Sequence, residues 1–200
     1  MYHWKEVKKV PEKMTRTFNI SELNTREATD GKSITVGGYA AMFNSRTTLW
    51  EGFDEIILTG AFSKTLSENG DVRCLFNHDW SKVLGRTKSG TLRLFEDDRG
   101  LKFEVDLPNN SYANDLVESM ERGDINQCSF GFIISREELD WDSDPILRTI
   151  LEVELYEVSV VSIPAYDDTE ASVMRGKQLK NDFERRLKIL NKIKGVLPNG

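Results

Sequence analysis

Apolar and polar side chains alternate at every second position along much of this sequence, and this pattern predicts β-strands. The predicted strands cover residues 15–20, 33–43, 71–78, 90–95, 101–107, 125–136 and 148–163. Gly37 and Gly38 lie inside the second strand, where they indicate a bulge or a bend.

Three other stretches have helical spacing. In residues 110–122 large side chains recur every four positions, and Gly123 follows where a helix end favours glycine. We predict a short helix over residues 60–66, after a cap at Thr59, and an amphipathic helix over residues 177–194. Because strands outnumber helices, we predict a β-rich α+β domain, mostly antiparallel, that forms a closed or nearly closed β-barrel.

The composition is typical of a soluble globular domain, with 38% hydrophobic and 30% charged residues. The net charge of −6 argues against a general nucleic-acid-binding protein, because phosphate contacts dominate that affinity. No apolar run approaches the roughly 20 residues of a membrane span. The two cysteines, Cys74 and Cys128, show no framework spacing, which argues against a structural zinc site, and two histidines cannot build a histidine-rich metal centre. We expect no metal and no cofactor, although counting leaves a carboxylate-only magnesium site open.

The chain is predicted to have three parts. These are a flexible N-terminal extension over residues 1–13, a main domain over residues 14–175, and a basic amphipathic helix or tail over residues 176–200. The tail has seven Lys or Arg between Lys177 and Lys194, against two acidic residues. Two interpretations stay open: a terminal helix packed on the core, or a detachable segment that binds an acidic partner.

His78 and Ser129 are the first candidates for chemistry. With period two, His78 ends an apolar row of its strand and Asp79 points to the opposite face, so the histidine needs a carboxylate from elsewhere. The alternative is a structural histidine with satisfied hydrogen bonds. Ser129 shares a strand face with Gly131, which would leave space beside the hydroxyl for a substrate backbone. Cys128 is a rival nucleophile, but it lies on the apolar face and is interpreted as core filling.

Glu157 is the third candidate, because period two places it in an otherwise apolar row of its strand. A buried carboxylate needs a charged or hydrogen-bonding partner. The Nδ1–H group of a histidine would serve, and so would Arg73 or Arg148; spacing leaves these open. A hydroxyl, an imidazole and a carboxylate are together what acyl transfer requires: a nucleophile, a base and a group that orients the base.

Several strings, in this order along the chain, resemble the prohead protease family of tailed bacteriophages. They extend from about Thr15 to Arg175. The strings are Gly38-Tyr39-Ala40-Ala41-Met42-Phe43-Asn44, Gly60-Ala61-Phe62, Leu75-Phe76-Asn77-His78-Asp79 with Val83-Leu84-Gly85-Arg86, Gly100-Leu101-Lys102-Phe103, Ser129-Phe130-Gly131-Phe132, and Glu157-Val158-Ser159-Val160-Val161 before Pro164-Ala165-Tyr166.

The resemblance implies a serine endopeptidase domain over residues 14–175. That family is related to the herpesvirus assemblin proteases, which implies a β-barrel surrounded by helices. It also implies His78 as general base and Ser129 as nucleophile. The herpesvirus enzymes use a second histidine as third member; here only His3, in the charged extension, is available, so Glu157 is our candidate for that role.

The resemblance further implies substrates and a location. The expected partners are the scaffolding protein and the major capsid protein, cleaved inside the procapsid in the host bacterial cytoplasm, with possible self-association and self-cleavage. Neither nucleic acid nor membrane is an expected partner. The alternatives are a non-enzymatic scaffold or capsid-associated protein, and an unrelated esterase. The esterase is disfavoured because Asn126 and Gln127, not a glycine, precede Cys128-Ser129-Phe130-Gly131.

Overall fold

A computed structural model describes residues 13–19, 24–27, 34–68, 70–162 and 185. The chain divides into two units, Met1–Pro164 and Ala165–Gly200, and only Arg185 of the second is among the described residues. The predicted tail over residues 176–200, except Arg185, and the predicted N-terminal extension, except Lys13, therefore lie outside the described part.

Strands dominate the described residues. They are β1 (Lys13–Asn19), β2 (Asn24–Glu27), β3 (Ile34–Met42), β4 (Thr47–Trp50), β5 (Phe53–Ile57), β6 (Arg73–Phe76), β7 (Asp79–Arg86), β8 (Leu92–Glu96), β9 (Gly100–Asp106), β10 (Gln127–Asp140) and β11 (Ile146–Val161). Two α-helices, α1 (Ser63–Ser67) and α2 (Ser111–Glu121), and a one-turn 3-10 helix, Thr87–Ser89, complete them. No described helix is long and apolar enough to cross a membrane.

The strands pair in two sheets. The larger has the order β1-β10-β11-β5-β4, with β6 also paired to β11 and β7 paired to β6; the smaller has the order β2-β3-β9-β8. Within the described residues most ladders are antiparallel, and β11 pairs in parallel with β5 and β6. The β-rich, mostly antiparallel prediction is confirmed. No ladder between described strands joins the two sheets, so the closed barrel stays a prediction.

The core is shared by both sheets and both helices. Phe62, before α1, packs edge-on against Phe130 of β10, and Phe130 stacks on Phe132. Leu116 of α2 is fully buried in the same cluster as Phe103 of β9. Asn110 caps α2 by accepting a hydrogen bond from Ala113 N, and Gly123 has φ +81° after its end, as the sequence predicted.

Several predicted boundaries are wrong. The strand predicted over residues 71–78 ends at Phe76, and the chain returns at once as β7, which the alternation did not indicate. β2, β4 and β5 were also missed. β2 and β4 are four-residue edge strands, too short to show period two, and β5 is buried at successive rather than alternate positions. The helix predicted over residues 60–66 begins only at Ser63, with no side-chain cap.

Candidate active site

A β-bulge in β11 determines where Glu157 points. The ladder runs Gly131↔Glu157 and then Phe132↔Leu155, so Tyr156 is an extra residue. The bulge shifts the alternation: Leu155 before it and Val158 after it both belong to the core. Glu157 therefore faces away from the core, and the prediction that it interrupts the apolar row is wrong, although the residue it singled out is buried with only 2% of its surface exposed.

Gly131 makes room for this arrangement. A Cβ atom on Gly131 would lie 2.6 Å from Glu157 Oε1 and 2.6 Å from the Tyr156 ring. The predicted open space beside the glycine is thus filled by the chain's own side chains, and the expectation of a substrate backbone there is wrong. What the glycine permits is the close approach of a carboxylate and a ring to β10.

His78 lies in the tight turn between β6 and β7. Asn77 and His78 have φ +53° and +58°, the left-handed pair of a type I′ hairpin turn. Such backbone on a bulky residue costs on the order of 1–3 kcal/mol and is found mainly at functional sites. The turn is tied to the end of β11, because Asn77 N donates to Val160 O and Asn77 Oδ1 accepts from Ser162 N at 2.8 Å.

The turn brings the imidazole of His78 to the carboxylate of Glu157. His78 Nδ1 lies 2.6 Å from Glu157 Oε1, the contact the sequence led us to expect. The other carboxylate oxygen, Oε2, accepts a hydrogen bond from the hydroxyl of Ser159. His78 Nε2 is buried without a hydrogen-bond partner, while 29% of the side chain remains exposed. A buried polar atom without a partner is uncommon in native proteins and calls for a functional explanation.

The competing partners of this pair are engaged elsewhere. Arg73 lies 3.4 Å from Asp71, and Arg148 pairs with Glu55. Asp79 accepts hydrogen bonds from the backbone and hydroxyl of Ser81. The prediction that Asp79 and His78 lie on opposite faces assumed a strand that in fact ends at Phe76.

Ser129 lies on the same sheet face as Glu157, opposite Ser159 in the β10–β11 register. Its hydroxyl is fully buried and donates to the backbone oxygen of Arg16 in β1 at 2.9 Å, so its hydrogen bond goes to β1 and not to the imidazole. Cys128 faces the core, and burial raises the pKa of its thiol well above the ordinary value. A protonated thiol in the core is a poor nucleophile.

Aromatic rings flank the site. Tyr156 stacks on Trp80 at a ring distance of 6.3 Å, and Lys13 lies 4.9 Å from the Tyr156 ring centre. Trp80, which is half exposed, lies two positions after His78. The sequence analysis missed Asn77, Tyr156 and Ser159. The Asn77-His78 pair at a hairpin turn was a usable signal for the turn; the bulge that orients Tyr156 left none.

No described group of three His, Cys, Asp or Glu side chains is placed to hold a metal ion. The site as described therefore offers a hydroxyl, an imidazole oriented by a carboxylate, and a free imidazole nitrogen.

Comparison of the sequence with known proteins identifies the family. The model of the protein family described as caudovirus prohead serine protease matches residues 21–182 of this chain. The chain is 31% identical over 166 residues to the prohead protease of Enterobacteria phage HK97, covering 81% of this chain and 69% of that protein. The chain belongs to the caudovirus prohead serine protease family. As a member of that family it is a serine peptidase.

Two further proteins extend the comparison. The prohead protease of Escherichia phage T5 is 30% identical over 95 residues, 48% of this chain and 42% of that protein. The structure of the bacteriophage T4 capsid assembly protease matches with a TM-score of 0.54 at 12% identity, covering 78% of this chain and 100% of that one. At that identity the match shows a shared fold, in agreement with the β-rich architecture of this prohead protease family member.

Proposed function

We propose that this peptidase cleaves scaffolding protein, or scaffold-like segments of the major capsid protein, inside the procapsid during head maturation, with Ser129 as nucleophile, His78 as general base and Glu157 as the orienting carboxylate. The observation that carries the proposal is the 2.6 Å contact between His78 Nδ1 and Glu157 Oε1, on the sheet face that holds Ser129. The contact fixes the tautomer of the imidazole, because Nδ1 must carry the proton it shares with the carboxylate.

The chemistry follows from that tautomer. With Nδ1 protonated, His78 Nε2 holds a lone pair and accepts the Ser129 proton as the hydroxyl oxygen attacks the peptide carbonyl carbon. The imidazolium formed is stabilised by the Glu157 carboxylate. It then gives the proton to the leaving amine, and water hydrolyses the acyl-enzyme by the same route.

One rearrangement is part of this proposal. In the structure the Ser129 hydroxyl donates to Arg16 O, whereas His78 Nε2 has no partner. The hydroxyl must leave Arg16 O and turn to Nε2 before it can attack. The exchange should cost little, since a neutral hydroxyl–imidazole bond is worth about as much as a hydroxyl–carbonyl bond.

The biological setting is proposed from the family. The similar proteins are named as two prohead proteases and a capsid assembly protease. We extend this to the cognate scaffold and capsid proteins as partners, to a site of action inside the procapsid in the host cytoplasm, and to cleavage of the protease itself. Residues 14–175 would form the protease domain, as a closed barrel of the assemblin type, and the basic tail over residues 176–200 would deliver it to the shell.

Co-expression with the cognate capsid and scaffold proteins tests the proposal, with products read by mass spectrometry. Ser129→Ala should abolish the cleavage seen with the wild-type chain, a loss of at least about a thousandfold, because no other described group replaces the hydroxyl. The buried hydroxyl makes one hydrogen bond, so the loss in folding stability should be only about 1 kcal/mol. Cleavage at the wild-type rate by Ser129→Ala would place the nucleophile elsewhere, with Cys128 next in line, whereas no cleavage with the wild-type chain would favour the alternative of a non-enzymatic scaffold component.

A further inference from the structure

Ser159 holds the second oxygen of the Glu157 carboxylate. Its hydroxyl donates to Glu157 Oε2 while His78 Nδ1 contacts Oε1, so the two oxygens have different, complementary partners. Ser159 is 1% exposed and Glu157 is 2% exposed, which limits replacement of this hydrogen bond by water. No cation contacts Glu157 among the described residues, so the hydroxyl and the imidazole are its partners there.

The position of Ser159 follows from the strand register. Ser159 lies opposite Ser129 across the β10–β11 ladder, and on its other side it lies beside Leu75 of β6, which is fully buried. Glu157 and Ser159 are two positions apart, so both project from the same face of β11 after the bulge. The serine is therefore part of the row that contains the carboxylate and the proposed nucleophile.

We propose that Ser159 is a positioning residue for catalysis: its hydroxyl holds the Glu157 carboxylate turned toward His78. This rests on the proposed function above. A hydrogen bond donated to a carboxylate favours the charged form. Without it, Oε2 would be buried and unsatisfied, and Glu157 would compete more strongly for the proton that it shares with His78. The protonated pair would then persist to higher pH.

A pH profile separates positioning from mere packing. We would measure kcat/KM against pH for wild-type protein, Ser159→Ala and Ser159→Thr, with a peptide that spans a cleavage site mapped by co-expression. We expect Ser159→Ala to lower kcat/KM about tenfold or more, and to move the acid limb of the pH profile to higher pH. Ser159→Thr restores the hydroxyl and should recover both. If Ser159→Ala does not fold, Ser159→Cys, whose thiol is a weaker donor, should give an intermediate shift.

Thr35 provides a matched control. Its hydroxyl is buried and donates to Asp106 Oδ1 at 2.6 Å, in the smaller sheet. Thr35→Ala removes the same kind of bond and should leave the pH profile unchanged. An acid limb of Ser159→Ala, or of Ser159→Cys in its place, that coincides with wild type would overturn the proposal, even if the folded fraction fell.

Ser129→Ala, assayed in parallel, distinguishes the two proposals. Complete loss of cleavage in Ser129→Ala with wild-type behaviour of Ser159→Ala contradicts only the role of Ser159. Cleavage by Ser129→Ala contradicts the proposed nucleophile, whatever the Ser159 variants do.

Discussion

Glu55 and Glu157, both in the larger sheet, are equally buried, at 2% exposure, but they have different partners. Glu55 is held by two arginines: Arg16 donates to both of its oxygens at 2.6 and 2.9 Å, and Arg148 lies 3.3 Å from Oε2. Glu157 instead contacts an imidazole and a hydroxyl. Permanent cations neutralise the first carboxylate at every ordinary pH, whereas the second is paired with a group that can gain and lose a proton.

The difference separates a structural carboxylate from a chemical one. Burial alone predicts the same desolvation cost for both carboxylates, since a charge in the protein interior needs a partner that compensates it. The partner decides the role: a guanidinium stays charged and forms a fixed link between strands, while an imidazole beside a carboxylate can act as a base. Changing each glutamate to glutamine should therefore give opposite results.

Glu157→Gln should have the largest effect on cleavage of the variants compared here. The amide keeps the size but removes the charge that stabilises the imidazolium, so we expect cleavage to slow by roughly 10²–10⁴. Thermal unfolding should change little by comparison. Cleavage by Glu157→Gln at more than about a third of the wild-type rate would show that the contact with His78 is structural only.

Glu55→Gln is the matched control. It removes the buried carboxylate charge that Arg16 and Arg148 both contact, while Arg148 keeps its contact with Glu137, so we expect a loss of about 3 kcal/mol in the free energy of unfolding. Denaturant titration would measure this loss. Cleavage per folded molecule should stay within a few-fold of wild type; a catalytic loss equal to that of Glu157→Gln would remove the contrast between the two carboxylates.

Gly131→Ala sharpens the comparison by moving Glu157 without changing its chemistry. The added Cβ would lie 2.6 Å from Oε1, so the carboxylate or the Tyr156 ring must shift. We expect cleavage to fall about 10- to 100-fold and stability by about 1–3 kcal/mol. Gly90→Ala, where nothing lies within 4 Å of an added Cβ, should lose some stability from its positive φ but no cleavage. Equal cleavage by the two variants would contradict the tight fit at Gly131.

Asn77 offers a smaller change at the turn that carries His78. Asn77→Gly tolerates φ +53° but loses the amide that accepts from Ser162 N, whereas Asn77→Ala loses that bond and also disfavours the backbone. We expect a few-fold loss of cleavage for the first and about tenfold for the second. The same rate in both variants would mean that the left-handed backbone contributes nothing to placing His78.

Cys128→Ala should have the smallest effect on cleavage. The thiol is buried on the core face, so alanine leaves a small cavity and a loss of about 1 kcal/mol, with cleavage unchanged. Iodoacetamide should label neither Cys128 nor Cys74 in the folded protein, because burial also raises the pKa of Cys74. Cleavage that disappears in Cys128→Ala would restore the cysteine as rival nucleophile.

The sequence predicted which residues form the site better than it predicted their geometry. His78, Ser129 and Glu157 were singled out from strand faces and from the family strings, and the His78–Glu157 contact is present. The reason given for Glu157 was wrong, because period two cannot register a bulge whose position depends on the pairing of β10 with β11. The catalytic roles themselves stay predictions.

The turn at His78 shows the same limit. The alternation of apolar side chains argued for a strand that continues through residue 78, although Asn and His adopt left-handed backbone more readily than most residues. The turn is stabilised by bonds from Asn77 to the end of β11, which join residues far apart in sequence. By contrast, α2 was predicted nearly to its ends, because its four-residue spacing and its terminal glycine are local signals.

The most direct test of the central claim is chemical labelling of the nucleophile. A fluorophosphonate reacts with an activated serine hydroxyl, and mass spectrometry of the digested protein identifies the residue that carries the label. In a preparation that cleaves its substrate, we predict the label on Ser129 and at least a hundredfold slower labelling in His78→Ala. Label on Ser159 or on another residue, or an unchanged labelling rate without the imidazole, would contradict the account.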